Sequence, residues 1–264
     1  MKANHSIRIH KHYDSRELPI GRVLIAIMLV SVSTLAADVL AQGGSPRLLA
    51  RNISGENSVS TNQLVTPDRA LHAVQRARNH LIAGRIDRAQ REITYALDIS
   101  PHCALALNVQ GAIHLVTRQF ENASEDYHGA IQADSELGSA YLGLAISLIA
   151  QDHLNEALEP LDRAARLLPS SWLVYFETAG ARLGLGDTEA ALKQIGYAER
   201  FNEMDPERKS GTVYLRGMVY VNLRDYDRAK KYLGDAISYD PNGFYATLAQ
   251  RRLEHLRPLH ANVE

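Results

Sequence analysis

Two histidines, His80 and His114, stand 34 residues apart. Four carboxylates, Glu121, Glu125, Glu156 and Glu159, follow at intervals of four and three residues. A pair of facing histidines would be the beginning of a zinc site, but zinc takes at least three protein ligands. No third His or Cys keeps step with this pair, so packing is the preferred reading of both rings. Carboxylates three and four apart share one helix face, and such a stripe is ordinarily the solvated one. No nucleophile elbow, phosphate loop, dinucleotide fingerprint, paired-cysteine metal motif or H-E-x-x-H occurs. Nothing assembles a general acid, a general base and a substrate pocket. The expectation is a non-enzymatic chain with no metal and no cofactor.

Cys103 is the one cysteine, which rules out a disulfide within the chain. In an oxidising compartment its thiol could join a partner, although a place in an inter-helix turn favours a small filler residue. The net charge of −1 provides no field for nucleic acid or an anionic membrane, so neither is expected as a partner. A hydrophobic content of 45% suits a folded chain.

Residues 1–41 differ from the rest. Lys2, Arg8, Lys11, Arg16 and Arg22 form a basic leader, and Val23 to Ala37 is an uncharged apolar run ending near Val39-Leu40-Ala41. This is the pattern of a secretory signal with a cleavage site. An uncleaved signal anchor stays open, although 15 uncharged residues fall short of the roughly 20 of a spanning helix. Either way the positive-inside bias sends the remainder outward, and export to the periplasm or cell envelope is expected. Residues 42–65 are rich in Gly, Ser and Asn without helical periodicity and read as a flexible linker.

The elements that position everything else repeat. Stepping by 34 from Ala89 meets Ala123, Ala157 and Ala191, and a step of 38 then meets Ala229. Seven residues beyond each is a second alanine: Ala96, Ala130, Ala164, Ala198 and Ala236. Between them sit Ile93, Tyr127, Leu161, Ile195 and Leu233, and twelve residues before each first alanine are Ala77, Gly111, Ala145, Ala179 and Gly217. Packed helices lie 8–10 Å apart, and small side chains at a crossing permit the close end of that range. Each unit therefore reads as two helices of about a dozen residues crossing at the small positions, with the large residue filling the space left over. Asp87, Glu121, Asn155, Glu189 and Asp227 are expected to head the second helices as caps or dipole partners. Pro101, Pro169 and Pro241 are expected to stop them. Asp205-Pro206-Glu207 and Thr66-Pro67-Asp68 read as caps with proline at the first helical position.

These residues resemble the tetratricopeptide repeat family, whose 34-residue helix–turn–helix unit has small residues at its eighth, twentieth and twenty-seventh positions. The resemblance covers about two-thirds of the chain in five copies, near 70–103, 104–137, 138–171, 172–205 and 210–243, within an array from 66 to 243. It implies an all-α, right-handed α-solenoid. The aromatic usual at the fourth position is present only as Tyr141 and Tyr175. Residues 244–257 follow with Tyr245, Leu248, Ala249, Leu253 and Leu256 on one helical face, the pattern of a capping helix for an otherwise apolar end.

The family's concave positions, carried onto this chain, are Leu71, Val74 and Arg78; Leu105, Asn108 and Ala112; Leu142, Ile146 and Ile149; Leu173, Phe176 and Gly180; and Tyr214, Met218 and Asn222. The resemblance implies a groove, centred on Ile146 and Phe176, for a protein or peptide partner. Its apolar lining suits an amphipathic helix or an extended hydrophobic segment. Family members that hold acidic tails use cations there, whereas Val74, Asn108 and Leu142 stand where a lysine would help, which disfavours that role. The alternatives are a membrane-tethered spacer or a self-association module that uses the end faces.

Overall fold

The computed structural model describes residues 66–201 and 205–256. The expected signal segment and linker lie outside those residues. Eleven helices and no strand occur among the described residues. Five pairs follow one another: α1 (Asp68–Ile82) with α2 (Ile86–Ile99), α3 (Ala104–Val116) with α4 (Phe120–Ala133), and α5 (Gly138–Ala150) with α6 (Leu154–Leu167). Then come α7 (Trp172–Gly184) with α8 (Thr188–Glu199), α9 (Pro206–Asn222) with α10 (Tyr226–Tyr239), and the single α11 (Phe244–Leu256). No described helix is long and apolar enough to cross a membrane.

The second helices bury what the repeat spacing demands and little else. α2 buries Ala89, Ile93 and Ala96; α4 buries Ala123, Tyr127 and Ala130; α8 and α10 bury the equivalent triplets. α6 adds Pro160 to its own. All ten repeat alanines are fully inaccessible. Each first helix packs on its own second helix and on the next first helix, and each after α1 also on the second helix before it, which is the contact pattern of a solenoid. The crossing between α4 and its neighbours shows why small residues are required. The ring of Tyr127 lies between Gly111 and Gly143, and a methyl group on Gly143 would sit 2.3 Å from ring carbon Cε1. Only glycine admits the tyrosine there.

The turns within units repeat as well. Gly84, Arg118, Asp152, Gly186 and Arg224 occupy the same place in each, all with φ between 58° and 80°. The amide after each reaches back to a carbonyl of the first helix, as Arg85 does to His80 and Gln119 to His114, each at 2.8 Å. This is the left-handed helix-ending turn that satisfies otherwise unpaired carbonyls. The turn places the N-cap of each second helix two residues ahead of the residue expected to head it. The N-caps are Arg85, Gln119, His153, Asp187 and Asp225, and only the last two accept a backbone amide through their side chains. Asp87, Glu121, Asn155, Glu189 and Asp227 therefore lie inside the first turn, where the acids face the positive end of the dipole rather than cap it.

The prolines act as expected: α2, α6 and α10 end two residues before Pro101, Pro169 and Pro241. α9 is 17 residues long against 13 for α3, α5 and α7, so the extra residues of the fourth repeat step lengthen a helix. Asp205 caps it, accepting from the amides of Glu207 and Arg208 at 2.9 and 3.1 Å, with Pro206 in the first position. At α1 the arrangement differs, because Pro67 is itself the N-cap and no side chain caps that helix. The capping helix α11 packs on α10 and α9, burying Tyr245, Ala246, Ala249 and Leu256. Gln250, Arg251, Glu254 and His255 remain exposed on its outer side.

Candidate functional site

The concave wall is built by the first helices α1, α3, α5, α7 and α9, held in register by the buried triplets behind them. Its residues fall into two apolar cores. Val74 and Ala112, with half-buried Leu71 and Leu105 against them, belong to the core of the first two units. Leu142, Ile146, Ile149, Leu173, Phe176, Tyr214 and Met218 belong to the core that runs through the remaining units. Half-buried Val116 packs against both. Gly180 is buried and Asn222 half-buried.

Ile146 and Phe176, the expected centre of the groove, are 0% and 1% exposed. The neighbours of Phe176 explain part of this. Its ring stacks at 4.7 Å on Trp172 and meets Tyr245 edge-on at 5.8 Å, and Tyr245 also lies 6.1 Å from Tyr214. Edge-on and offset rings at such distances are favourable arrangements. Tyr245 comes from α11, so the capping helix also closes the C-terminal end of the wall. Gly211 makes this fit, since a methyl group there would lie 2.7 Å from the Tyr245 ring. Trp172 is fixed by its indole nitrogen, which donates to the Thr212 hydroxyl at 2.9 Å.

Three polar groups interrupt the apolar lining. Arg78 is buried, and burial pulls its guanidinium below the ordinary arginine range. Tyr214 is buried and its hydroxyl is held in the neutral form by loss of solvation. Asn108 is 4% exposed; its amide nitrogen donates to the Ser139 hydroxyl at 3.2 Å, and its amide oxygen has no partner. A buried carbonyl oxygen without a donor is costly. Nothing in the lining could act as a nucleophile with an adjacent base.

The two histidines do not form a shared site. The Nδ1 atom of His114 lies 2.6 Å from Asp126 on α4, in its own unit, and Gln110 donates to the other carboxylate oxygen at 3.1 Å. Burial pushes the Asp126 carboxyl up, opposed by the His114 contact. In the first unit Glu92 answers to His80 through charge and is held below the usual carboxylate range chiefly by the Arg76 hydrogen bond. The fifth unit writes the same clasp in aromatic form: Tyr220 stacks on Tyr232 at 5.3 Å, with Arg216 5.6 Å from the Tyr232 centroid. The Arg76–Glu92, His114–Asp126 and Tyr220–Tyr232 contacts tie the two helices of their units together. A constant separation of 12 residues, His80 to Glu92, His114 to Asp126 and Tyr220 to Tyr232, marks them in the sequence. No group of three His, Cys, Asp or Glu that could hold a metal occurs among the described residues, and Cys103 is buried in the first core.

Models of the tetratricopeptide repeat match residues 68–137, 142–206 and 211–242, more than half of the chain. The chain belongs to the tetratricopeptide repeat family. Members of this family mediate protein–protein interactions and are typically non-enzymatic scaffolds. Among curated proteins, this repeat chain is 27% identical over 175 residues to the BBSome complex member BBS4 of Bos taurus, covering 64% of this chain. It spans 31% of that relative's length. The YrrB structure, described as a TPR protein with an unusual peptide-binding site, is similar with a TM-score of 0.55 and 22% identity. That match covers 69% of this chain and 92% of YrrB. A chain of the Cut9–Hcn1 hetero-tetramer of the APC/C superposes with a TM-score of 0.64 at 14% identity, covering 92% of this chain and 42% of that one. At these identities the structural likenesses establish the fold.

Proposed function

We propose that this protein is an exported, non-enzymatic adaptor of the bacterial periplasm or cell envelope. Its concave wall takes an amphipathic helix or extended apolar segment of a protein partner. The observation that carries this reading is the wall itself: five first helices in register carry a mainly apolar lining with three polar groups in it, of which Asn108 holds a buried amide oxygen without a partner. An apolar groove with a few fixed polar points is how helical and extended peptides are recognised. The Asn108 oxygen would accept a backbone or hydroxyl hydrogen of such a segment. The peptide-binding site named for YrrB, and the multiprotein assemblies named for BBS4 and Cut9, support the same class of role. The polar outer side of α11 gives the end-face alternative less to work with.

Charges at Ile146 or Phe176 would disturb the core as well as the groove, because both are buried. The informative change is Leu71→Glu with Leu105→Glu, both half-buried at concave positions of the first two units. Affinity capture from an envelope extract with the full chain is expected to recover partners that the double variant loses at unchanged helicity. Recovery of the same partners by both proteins would end the groove assignment. Fractionation that leaves the native chain in the cytoplasm would end the envelope assignment.

A further inference from the structure

The wall does not end with the fifth unit. α11 packs on α10 and α9, just as each first helix after α1 packs on the two helices before it. It therefore stands where the first helix of a sixth unit would stand. Stepping by 34 from Tyr214 and Met218 on α9 reaches Leu248 and Arg252 on α11, and both of these are half-buried. The register thus gives the wall a cation at its C-terminal end. A second observation places Arg252 on that side of α11. Loss of solvation holds the Tyr214 hydroxyl neutral, and the one charge that acts on it, in the opposite sense, is Arg252.

Among the described residues three arginines bury Nε without a hydrogen-bond partner: Arg182, Arg216 and Arg252. Arg182 offsets this through Asp187 at 3.4 Å, and Arg216 through Glu199 at 2.7 Å. No carboxylate among the described residues pairs with Arg252. Closing a guanidinium nitrogen off from water without a partner is costly. A cap that needed only a solvated charge would extend the side chain into water, as long basic side chains readily do. With Nε shut off, the two terminal nitrogens are the donors left for a ligand. Tyr214 is 2% exposed, and its hydroxyl makes no hydrogen bond among the described residues. A planar cation with a neutral hydroxyl donor beside it matches a carboxylate. Leu248 and Leu256 lie one turn before and after Arg252 on α11, and apolar surroundings strengthen such a pair by lowering the local dielectric.

We propose that Arg252 and Tyr214 anchor one Asp or Glu side chain of the partner segment, whose apolar stretch lies on the wall from α9 toward α1. This rests on reading the wall as a binding surface; it names the partner's chemistry and fixes which end of the segment meets α11. A segment crossing α11 keeps apolar contacts with Leu248 and Leu256 on both sides of the carboxylate, which calls for a side chain within the segment rather than a chain terminus. The anchor lies at the other end of the wall from Val74, Asn108 and Leu142, the positions where a cation for acidic tails is missing.

The probe is a display library of random peptides selected on the full 264-residue chain. Enriched peptides are expected to share apolar residues at a regular spacing and one Asp or Glu at a fixed distance from them. The strongest peptide, and its counterpart with that acid replaced by the amide, are then measured by fluorescence anisotropy. On the native chain the amide peptide should bind about tenfold more weakly, as for the loss of one partner of a partly buried charge pair. Arg252→Gln should bind both peptides as weakly as the native chain binds the amide one. Arg251→Gln, on the exposed outer side, should behave as the native chain. Tyr214→Phe removes one hydroxyl and leaves the ring in place, so it should narrow the preference for the acidic peptide without weakening the amide peptide.

The outcomes separate the anchor from the groove. Apolar peptides with no fixed acid, or an acid whose replacement costs as much on Arg252→Gln as on the native chain, would overturn the anchor and leave the groove standing. A preference that Tyr214→Phe leaves unchanged would overturn the pairing of the two residues. Acidic peptides without an apolar pattern, lost on Arg252→Gln, would support the anchor and remove the apolar groove. No enrichment on the native chain would overturn both.

Discussion

The two helices of a unit answer to different constraints. α2, α4, α8 and α10 each fully bury three residues, spaced four and three apart, and leave the rest half-buried or exposed. α5 buries ten of its thirteen residues and α7 likewise ten of thirteen, on all sides. A second helix is thus an outer strut whose single apolar seam decides its place. A first helix is surrounded, and its composition is set by several neighbours at once. Glycine makes the contrast sharp. Gly143 on α5 lies against the Tyr127 ring, whereas Gly196 on α8 and Gly234 on α10 have nothing within 4 Å of an added methyl.

The largest expected effect comes from breaking the surrounded side. Gly143→Ala forces the Tyr127 ring to move or the two units to part, and overpacking of this kind costs about 1–3 kcal/mol. Urea denaturation of the variant against the native chain measures it; an unchanged midpoint would mean that the inter-unit contact is loose. A smaller effect separates true caps from first-turn acids. Asp187 accepts the Ala190 amide at 3.1 Å, so Asp187→Ala should cost about 1 kcal/mol. Asp87→Ala, which removes only a dipole contact, should cost about 0.3–1 kcal/mol, at the lower end on an exposed surface. Equal losses in paired thermal melts would refute the cap assignment. Opposite in sign, Gly196→Ala should stabilise by about 0.5–1 kcal/mol, because alanine loses less backbone entropy in a helix and meets no neighbour here. Any destabilisation would show that the outer side of α8 is packed against something.

The seam of the second helices was legible because close packing admits one solution, small–large–small, and each copy restates it. Ala89, Ile93 and Ala96 need no knowledge of the rest of the chain to be recognised. The turns were less legible. Gly84 and Gly186 advertise a left-handed residue, while Arg118, Asp152 and Arg224 hold the same conformation without a sequence signal. That unsignalled residue sets the caps two residues ahead of the expected positions and leaves Asp87 in the other of its two expected roles, a dipole partner. His114 pointed toward His80 only as long as units were compared along the chain. In space its nearer neighbour is Asp126, which the 12-residue separation encodes.

The spacing of the small residues determined the five-unit solenoid and its capping helix, because each unit's contacts are local in sequence and recur in phase. The tertiary structure alone decided the state of the wall. Small rotations accumulate from unit to unit, and only their sum brings Tyr245 to Phe176, 69 residues earlier. A residue placed on the concave face by its position in the repeat is open or buried according to that sum and to what lies across it. Neither quantity is written in any single unit.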